Sequence, residues 1–555
     1  MSKVFVFAVF LIICAILIAG CGSQTATTTS PGTTGPTTTT TTQAPATTTS
    51  TGPSQTTTTK PPTTTTTAKP TTTTTGGPKT GGTLRIILIA GPQNAGGLPA
   101  EVFGPDATSY QFCLEPLLRG DNKGGFVPWL AESYKVADDL KSITFNLRKG
   151  VKFHDGTDFN AQAAKWNLDQ QIQAKTMPFW TSIDIIDDST IRVNLSLWTN
   201  TAVNNFADSN YSWMISPTAF QKNGKDWARS NPVGTGPFKF ASFEKDVSFK
   251  VVKNPTYWQT GKPYLDGIEI LYVGDPTTQR AAMLSGAADM LELEPGQTAI
   301  DLKSQGFDYY QGLIVTYCLL PDSGHPDSPY AKQGVRQAVE QAINREAIAK
   351  AFGYGFWTAA YQVPSPANPA YNPNFNLGRK FDPAAAKDLL AAAGYPSGFK
   401  TTLLANPAVP RNMIVAVQSF LNDVNIKADI SFPPNMGGFM ESSNSLNNVL
   451  VVQPILGGSN YNFALTQFLS GKTSFWNHNF QPSDAYFKLV DASQFAKTYD
   501  ASLARAATDQ LIKDSSVVPF ANAGLGFLVK PYVKAGWGQR ATTEDLDSEN
   551  IWLDK

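Results

Sequence analysis

The sequence predicts a mixed α/β protein, because strand patterns and helix patterns alternate along the chain after residue 80. Residues 81–89 begin with glycines and continue as the short apolar run of a buried strand. Residues 190–197 alternate apolar and polar side chains, which is the period of a half-buried strand. Residues 381–394 have the punctuation of a helix, since Asp382 can cap it, Pro383 suits its first turn and Gly394 suits its end. The elements lack the strict alternation of a barrel or of a single doubly wound sheet.

The N-terminal segment is expected to be a lipoprotein signal peptide, residues 1–20. After Lys3, an uncharged apolar run extends to Gly20; at 1.5 Å per residue it spans about 25 Å, short of a hydrocarbon core of about 30 Å. It ends in small residues, as cleavage sites do. Residues 18–21, Ile-Ala-Gly-Cys, resemble the bacterial lipobox, which implies cleavage before Cys21 and acylation of Cys21. The alternative is an uncleaved anchor, and both place the body outside the cytoplasm, at the outer face of the bacterial cytoplasmic membrane.

Residues 21–80 are expected to be a linker. From residue 24 onward they are mostly Thr, with Pro, Gly and Ser, and contain no Leu, Ile, Val or aromatic residue. Such a composition buries too little apolar surface to offset the entropy of ordering. Fully extended, the segment would reach on the order of 190 Å.

Charge and cysteine content argue against a nucleic-acid-binding protein and against a disulfide-rich scaffold. The 44 basic and 44 acidic residues balance, whereas nucleic-acid binders carry a basic excess. Of four cysteines, Cys113 and Cys318 lie in the body, too few for a disulfide framework. They are expected to be separate buried thiols, although a bridge between them stays open.

A search for catalytic chemistry yields little. Residues 470–474 resemble the end of a phosphate loop, but Thr466 stands where its first glycine is required. None of the three histidines has a second ligand at metal-binding spacing, and His154 with Asp155 is expected to shape a turn before a helix capped near Asn160. Neither a metal nor another cofactor is expected. The sequence therefore favours binding over catalysis.

Five ordered blocks resemble the family 5 extracellular solute-binding proteins, the binding subunits of peptide, nickel and oligosaccharide ABC importers. The blocks are PWLAESYKVADDLKSITFNLRKGVKFHDG (residues 128–156), NPVGTGPFKF (231–240), KNPTYWQTGKPYLDGIEI (253–270), VRQAVEQAINREAIAKAFGYG (335–355) and FDPAAAKDLLAAAGYP (381–396). The resemblance as a whole extends over nearly all of residues 81–555, and the common order of the five blocks is the specific signal.

The resemblance implies a two-lobed, periplasmic-binding-protein-like fold of type II with an extra subdomain in lobe I. Mapped here, lobe I is residues 81–311 with the subdomain at 115–207, lobe II is residues 312–515, and residues 516–555 return to lobe I. The crossovers are expected near residues 313–320 and 515–524, both apolar strands. The implied function is that of a monomeric, lipid-anchored receptor that captures a peptide-like solute and delivers it to the permease of an ABC importer.

Candidate ligand-binding residues follow from the resemblance and from one departure. Peptide binders of this family hold the ligand's α-amine with an Asp, yet no carboxylate occurs between Glu441 and Asp484. Burial of the ligand's ammonium group without a counter-charge would cost roughly several kcal/mol. The alternative to a peptide with a free N-terminus is therefore a neutral polar ligand, such as an oligosaccharide, or a capped peptide. The candidates are Asn460 and Tyr461 for hydrogen bonding, Trp476 for stacking, Arg411 for a ligand carboxylate, and Tyr110 and Trp357 as rings facing the cleft.

Two other classes remain as alternatives. A secreted hydrolase would use Glu292 and Glu294, which point the same way if they lie on a strand, although a solvated strand face is the ordinary interpretation. A surface adhesin is indicated only by the Thr-rich stalk.

Overall fold

The computed structural model describes residues 77–92, 94–101, 109–121, 125–207, 210–293, 296–458, 460–471, 479–534 and 546–555. The predicted signal peptide, Cys21, nearly all of the linker and Trp476 lie outside these residues. Pro78–Lys555 form one compact unit. No helix in the described ranges is long and apolar enough to cross a membrane.

The strands, in chain order, are numbered from the N-terminal side of this unit. They are β1 Thr83–Leu88, β2 Leu118–Gly120, β3 Phe126–Pro128, β4 Ala131–Val136, β5 Ser142–Leu147, β6 Trp180–Asp187, β7 Thr190–Leu195, β8 Phe238–Glu244, β9 Ser248–Lys253, β10 Gly267–Tyr272, β11 Met290–Leu293, β12 Asp308–Pro321, β13 Thr358–Ala359, β14 Phe399–Ala405, β15 Ile426–Ser431, β16 Val449–Leu456, β17 Val518–Val529, β18 Val533–Lys534 and β19 Trp552–Leu553.

The α-helices are numbered in the same way. They are α1 Ala161–Gln173, α2 Pro217–Asn223, α3 Lys225–Ala228, α4 Pro276–Ser285, α5 Gln297–Ser304, α6 Gln333–Ala342, α7 Arg345–Gly353, α8 Pro383–Ala392, α9 Arg411–Asp423, α10 Met436–Ser445, α11 Asn462–Gln467, α12 Asp484–Gln494 and α13 Ala501–Lys513.

One mixed sheet runs through the unit in the order β15-β14-β16-β12-β17-β11-β1-β10-β9-β8. Both faces of this sheet are covered. On β1, Ile86 packs in one apolar cluster and the adjacent Ile87 in another, and on β14 Leu403 and Leu404 divide in the same way. A strand buried on both faces has a continuous apolar run, which is why residues 86–88 of β1 are all apolar.

A separate four-stranded sheet, β4-β5-β7-β6, is antiparallel and packs against α1. Ile143, Phe145 and Ile191 face its core, where Trp180 stacks on Phe206 with ring centroids 4.7 Å apart. Outward residues of β7 are polar, as its alternation predicts. This layer falls within residues 115–207, the predicted subdomain.

Residues 275–286 repeat the helix punctuation of residues 381–394, with Asp275, Pro276 and Gly286, and both predicted helices are confirmed. Asp275 and Asp382 cap α4 and α8 by accepting hydrogen bonds from backbone N–H groups three residues on, and Asn160 caps α1. Gly286 and Gly394 end α4 and α8 with φ of +78° and +92°. Positive φ at these two positions is why glycine suits them.

One local prediction needs correction. The apolar spacing of Val335, Val339, Ile343 and Phe352 predicts one helical face over residues 335–352, but the structure has two helices, α6 and α7, separated at Ile343 and Asn344. The side chain of Asn344 accepts a hydrogen bond from Ala347 N at 2.9 Å and so starts the second helix. The capping preference of Asn outweighs the helical period here.

The two body cysteines are free and buried, as expected. Burial raises the pKa of both the Cys113 and the Cys318 thiols. They are therefore inert core residues.

Candidate functional site

The topology brings the carboxyl ends of two sets of parallel strands together. β14 and β15 run parallel to β16, while β1 and β10 run in parallel with β11. Between the two sets lie β12 and β17, and each step from β16 to β12 to β17 to β11 is antiparallel. Three reversals leave the two sets pointing in opposite directions.

The register shows that they point towards each other. β16 ends at Leu456, opposite Val315 of β12, and β11 ends at Leu293, opposite Gly526 of β17. The carboxyl ends of β16 and β11 therefore both lie where β12 and β17 pass from one set of parallel strands to the other. The pairing of β12 with β17 shifts register at this point, between Gln311 and Ile314. Ligands of open α/β sheets bind outside the carboxyl ends of strands. The candidate site is therefore formed by the carboxyl ends of the two sets of parallel strands, where they face each other.

The edge of β1 and β10 carries the first predicted residue. Tyr110 is only 1% exposed, and its hydroxyl donates to the Asn94 carbonyl oxygen at 2.5 Å. Its neighbour Ser109 lies 3.0 Å from the hydroxyl of Tyr272, the last residue of β10. Tyr110 therefore supports this edge from within the core. Ile89, directly after β1, is 51% exposed at this edge. It was not among the predicted site residues, although its position at the end of a strand could have indicated it.

The opposite edge carries Arg411, the first residue of α9. Its side chain is exposed, and its guanidinium carbon lies 4.5 Å from the centroid of the Phe432 ring, just after β15. On the same edge, Asn406 directly follows β14 and donates to the Gln453 side-chain oxygen at 3.1 Å. Arg411 thus stands at the carboxyl edge of β14 and β15 as an accessible cation supported by an aromatic face.

Asn460 and Tyr461 follow β16 and are both buried. The Asn460 amide donates to the side-chain oxygens of Asn200 and Asn204, each at 3.2 Å. Burial raises the pKa of the Tyr461 phenol, whose hydroxyl has no hydrogen-bond partner within the described residues. The structure therefore brings Asn460 to other protein amides and Tyr461 into a core.

Trp357 lies directly before β13 and is 7% exposed. Its ring packs against Tyr317, with centroids 5.5 Å apart, and its indole nitrogen has no partner in the part of the chain that the structure describes. The next residue, Thr358, is exposed and accepts a long hydrogen bond of 3.4 Å from Asn522 of β17. Asn522 in turn accepts from Thr316 of β12 at 2.9 Å. This polar row across the crossover strands was not predicted.

The glycine motif of residues 231–240 supports the segment that carries Tyr110. A Cβ on Gly234 would lie 2.1 Å from the Cys113 carbonyl oxygen, so only glycine permits this contact. His154 holds the loop from the other side, with Nε2 donating to the Gly236 carbonyl oxygen at 3.0 Å and Nδ1 accepting from Gly234 N at 3.4 Å. The expectation that His154 acts in a turn before α1 is in keeping with these contacts.

The two acids considered for hydrolysis do not form a described pair, since Glu294 lies outside the described residues. Within the described ranges, no group of three or more His, Cys, Asp or Glu is arranged to hold a metal ion. The chemistry that the geometry offers is noncovalent: an exposed cation, an apolar side chain and hydroxyl and amide groups along two facing strand edges.

A sequence profile named "Bacterial extracellular solute-binding proteins, family 5 Middle" matches residues 125–477, more than half of the chain. The chain belongs to this family. Among curated relatives, the glutathione-binding protein GsiB of Salmonella typhi is 34% identical over 312 residues, 54% of this chain and 60% of the relative. The chain thus spans about 60% of the length of the curated relatives it matches.

Solved structures show the fold of this family 5 protein. DppA from Helicobacter pylori, in complex with the peptide STSA, is 23% identical, with a TM-score of 0.70 over 86% of this chain and 99% of its own. NikA from Brucella suis, in complex with Fe(III)-EDTA, is 20% identical, with a TM-score of 0.74 over 85% of this chain and all of its own. The predicted fold class, a two-lobed periplasmic-binding type of α/β protein, is confirmed. The lobe bounds remain a prediction.

Proposed function

We propose that this protein is the lipid-anchored, extracellular substrate-binding component of an ABC importer, which captures a peptide-like solute between two lobes and delivers it to the permease. The observation that carries the proposal is the convergence of two carboxyl strand edges at the β12–β17 crossover. A site assembled from two half-sheets joined by two strands suits capture by hinge closure. The protein would act as a monomer and without turnover of the solute.

The lobes in this proposal are residues 81–311 and 516–555 on one side and 312–515 on the other, with residues 115–207 as the subdomain. β12 and β17 are then the two connections. Asp308 and Tyr309 of β12 pair with the end of β17 that contacts β11, whereas Leu319 pairs with the end nearer to lobe II. Each strand therefore belongs to both half-sheets, which is what a pair of hinges requires.

A ligand with an anionic group is favoured by Arg411. This guanidinium is exposed at the site edge, and an Arg–carboxylate pair is among the stronger polar contacts available to a peptide. The names of two relatives specify peptides: glutathione for GsiB and STSA for DppA. A neutral oligosaccharide remains the alternative, because residues 442–483 contain no carboxylate to bind an ammonium.

Anchoring through acylated Cys21, with residues 21–80 as a tether, completes the proposal. The mature receptor would remain at the outer face of the bacterial cytoplasmic membrane. A linker of this composition lets the two-lobed unit sample solvent while it stays near its permease.

Native mass spectrometry of the protein as purified tests the function directly. We expect a retained peptide-like adduct, and after its removal we expect titration calorimetry with a panel of short peptides to show binding. Arg411→Ala should weaken binding about tenfold or more, by loss of a charge-assisted hydrogen bond. Lys427→Ala removes an exposed cation near the start of β15, away from the carboxyl edge, and should leave affinity unchanged.

Two results would refute the proposal. The first is the absence of any adduct together with no binding across peptides and oligosaccharides. The second is hydrolysis of the solute by the purified protein. A retained neutral oligosaccharide would instead establish the receptor role while overturning the peptide assignment.

A further inference from the structure

A cluster of amide side chains joins two distant parts of the chain. Asn200 and Asn204 lie in short helical turns after β7, whereas Asn460, Asn462 and Ser493 lie around α11 and α12. The Asn200 side-chain oxygen accepts from the Asn460 amide at 3.2 Å and from the Asn462 amide at 3.0 Å, and the Asn200 amide donates to the Ser493 carbonyl oxygen at 2.6 Å. We call this set the amide cluster.

The cluster is fully buried at its centre and internally satisfied. Asn200 is 3% exposed, and Asn460 and Asn462 are both 0% exposed. The Asn462 side-chain oxygen accepts from the Ser493 hydroxyl at 2.7 Å, and the Asn460 side-chain oxygen accepts from Asn462 N at 3.1 Å. The half of the cluster around α11 therefore holds its own geometry and presents two preorganised donors to Asn200.

Further contacts extend the same seam to the surface. The Trp198 indole nitrogen donates to the Ala496 carbonyl oxygen at 3.0 Å. Lys497 and Asp138 form an exposed ion pair at 2.7 Å. Both of these contacts join residues 138–204 to residues 460–497.

The seam contains polar and apolar side chains and is incompletely filled. A cavity of about 660 Å³ lies beside the cluster, with Asn200 and Val203 on one wall and Lys497 and Tyr499 on the other. Val203 and Tyr499 belong to two different apolar clusters, so separation of these walls would expose some apolar surface together with the amides and charges but would not divide a single apolar core. Intramolecular hydrogen bonds exchanged for bonds to water have small net free energies, so such a seam can open and close reversibly.

We propose that the amide cluster is a latch between the subdomain and lobe II, which biases the protein towards its closed arrangement without help from a ligand. The inference rests on the proposed division into lobes at residues 115–207 and 312–515. A ligand shifts a conformational equilibrium only by its differential affinity for the two states. A latch that favours closure by itself reduces the binding free energy that the ligand must supply for closing.

The latch consists of neutral groups, and this determines how it responds to pH and to ionic strength. Amide and hydroxyl hydrogen bonds do not titrate in the physiological range, so closure through the cluster is independent of pH. The exposed Lys497–Asp138 pair is screened by salt and contributes little. Closure should therefore persist at high ionic strength.

Hydrogen–deuterium exchange of the full chain, freed of any retained solute by unfolding and refolding, tests the latch. Asn200→Ala removes three contacts to residues 460–493, and exchange in peptides covering residues 460–467 and 493–499 should be about tenfold faster, since roughly 1.4 kcal/mol corresponds to a factor of ten. The radius of gyration from small-angle scattering should rise. Asn194→Ala, which removes an exposed contact to Ser182 and a partly buried contact to Asp184, is the control and should change neither measurement.

Two outcomes would overturn the proposal. One is exchange at the seam in Asn200→Ala equal to that in Asn194→Ala. The other is faster exchange everywhere, including β1 and β14, which would indicate general destabilisation. Lys497→Ala, an exposed change, provides a folded variant that should accelerate exchange only slightly. Because no solute is present, failure of the proposed binding function would leave this result intact.

Discussion

Replacement of His154 tests how the glycine motif is held near the site. Burial, followed by the nearby Lys239 charge, lowers the His154 pKa from 6.5 to about 4, against the opposing effects of the Gly236 hydrogen bond and Asp155. The hydrogen bonds agree with a neutral ring, since Nε2 donates to Gly236 and Nδ1 accepts from Gly234 N. A proton on Nδ1 would face that N–H group directly.

The sign of the pH effect follows from linkage. The unfolded chain takes up the His154 proton near pH 6.5, whereas the folded chain does so only near pH 4. Between these values the unfolded state binds more protons, so stability falls as the pH is lowered. The contribution is complete above pH 6.5 and lost below about pH 4. At 1.36 kcal/mol per pH unit the interval corresponds to about 3 kcal/mol at most, and partial solvent screening reduces the expected value to about 2 kcal/mol.

Urea unfolding at pH 7, 5.5 and 4 would measure this contribution. His154→Gln keeps an amide donor for the Gly236 carbonyl oxygen but has no group that titrates. The stability difference between the wild type and this variant should favour the wild type most at pH 7 and shrink by about 2 kcal/mol by pH 4. A difference that stays constant between pH 7 and 4 would refute the assignment of a buried neutral histidine.

Three further predictions concern the framework around the site. Gly234→Ala should destabilise the protein by about 3 kcal/mol, because its Cβ would lie 2.1 Å from the Cys113 carbonyl oxygen, whereas Gly437→Ala, with its nearest contact at 3.4 Å, should leave the melting temperature nearly unchanged. Arg345→Met should cost about 3–5 kcal/mol in chemical denaturation, since this buried guanidinium donates to four backbone carbonyls, while the exposed Arg192→Met should cost less than about 1 kcal/mol. The two buried cysteines should react with a thiol reagent only on unfolding, and rapid reaction of the native protein would contradict their burial.

Local signals in the sequence were sufficient for the elements that depend on neighbouring residues. Asp382, Pro383 and Gly394 determine one helix through contacts within a few positions, and the structure has that helix at Pro383–Ala392. Asn344 shows where local sequence signals conflict. It lay within an amphipathic pattern and still began a new helix, because two local preferences competed and the pattern alone did not decide between them.

The arrangement of the site depends on contacts that no local pattern contains. Asn200 and Asn460 meet although 260 residues separate them. Strand order follows a similar rule, since β17 lies between β12 and β11 only after the chain has passed through all of β13 to β16. The family resemblance predicted the two-lobed fold, but it did not predict which side chains are partners.

The amide cluster changes the meaning of the missing carboxylate in residues 442–483. The sequence alone ties that absence to ligand choice. In the structure, the Asn460 amide faces three acceptors: the Asn200 carbonyl oxygen at 3.4 Å and the side-chain oxygens of Asn200 and Asn204. An aspartate at position 460 would keep the Asn462 N donor for one oxygen but would turn its second oxygen, as part of a buried negative charge, towards these three acceptors, at a cost of several kcal/mol, roughly. The seam therefore requires an amide at this position whatever solute is carried. Ligand charge has to be inferred from another position on the same strand edge, near the ends of β14 and β15, where Arg411 lies exposed.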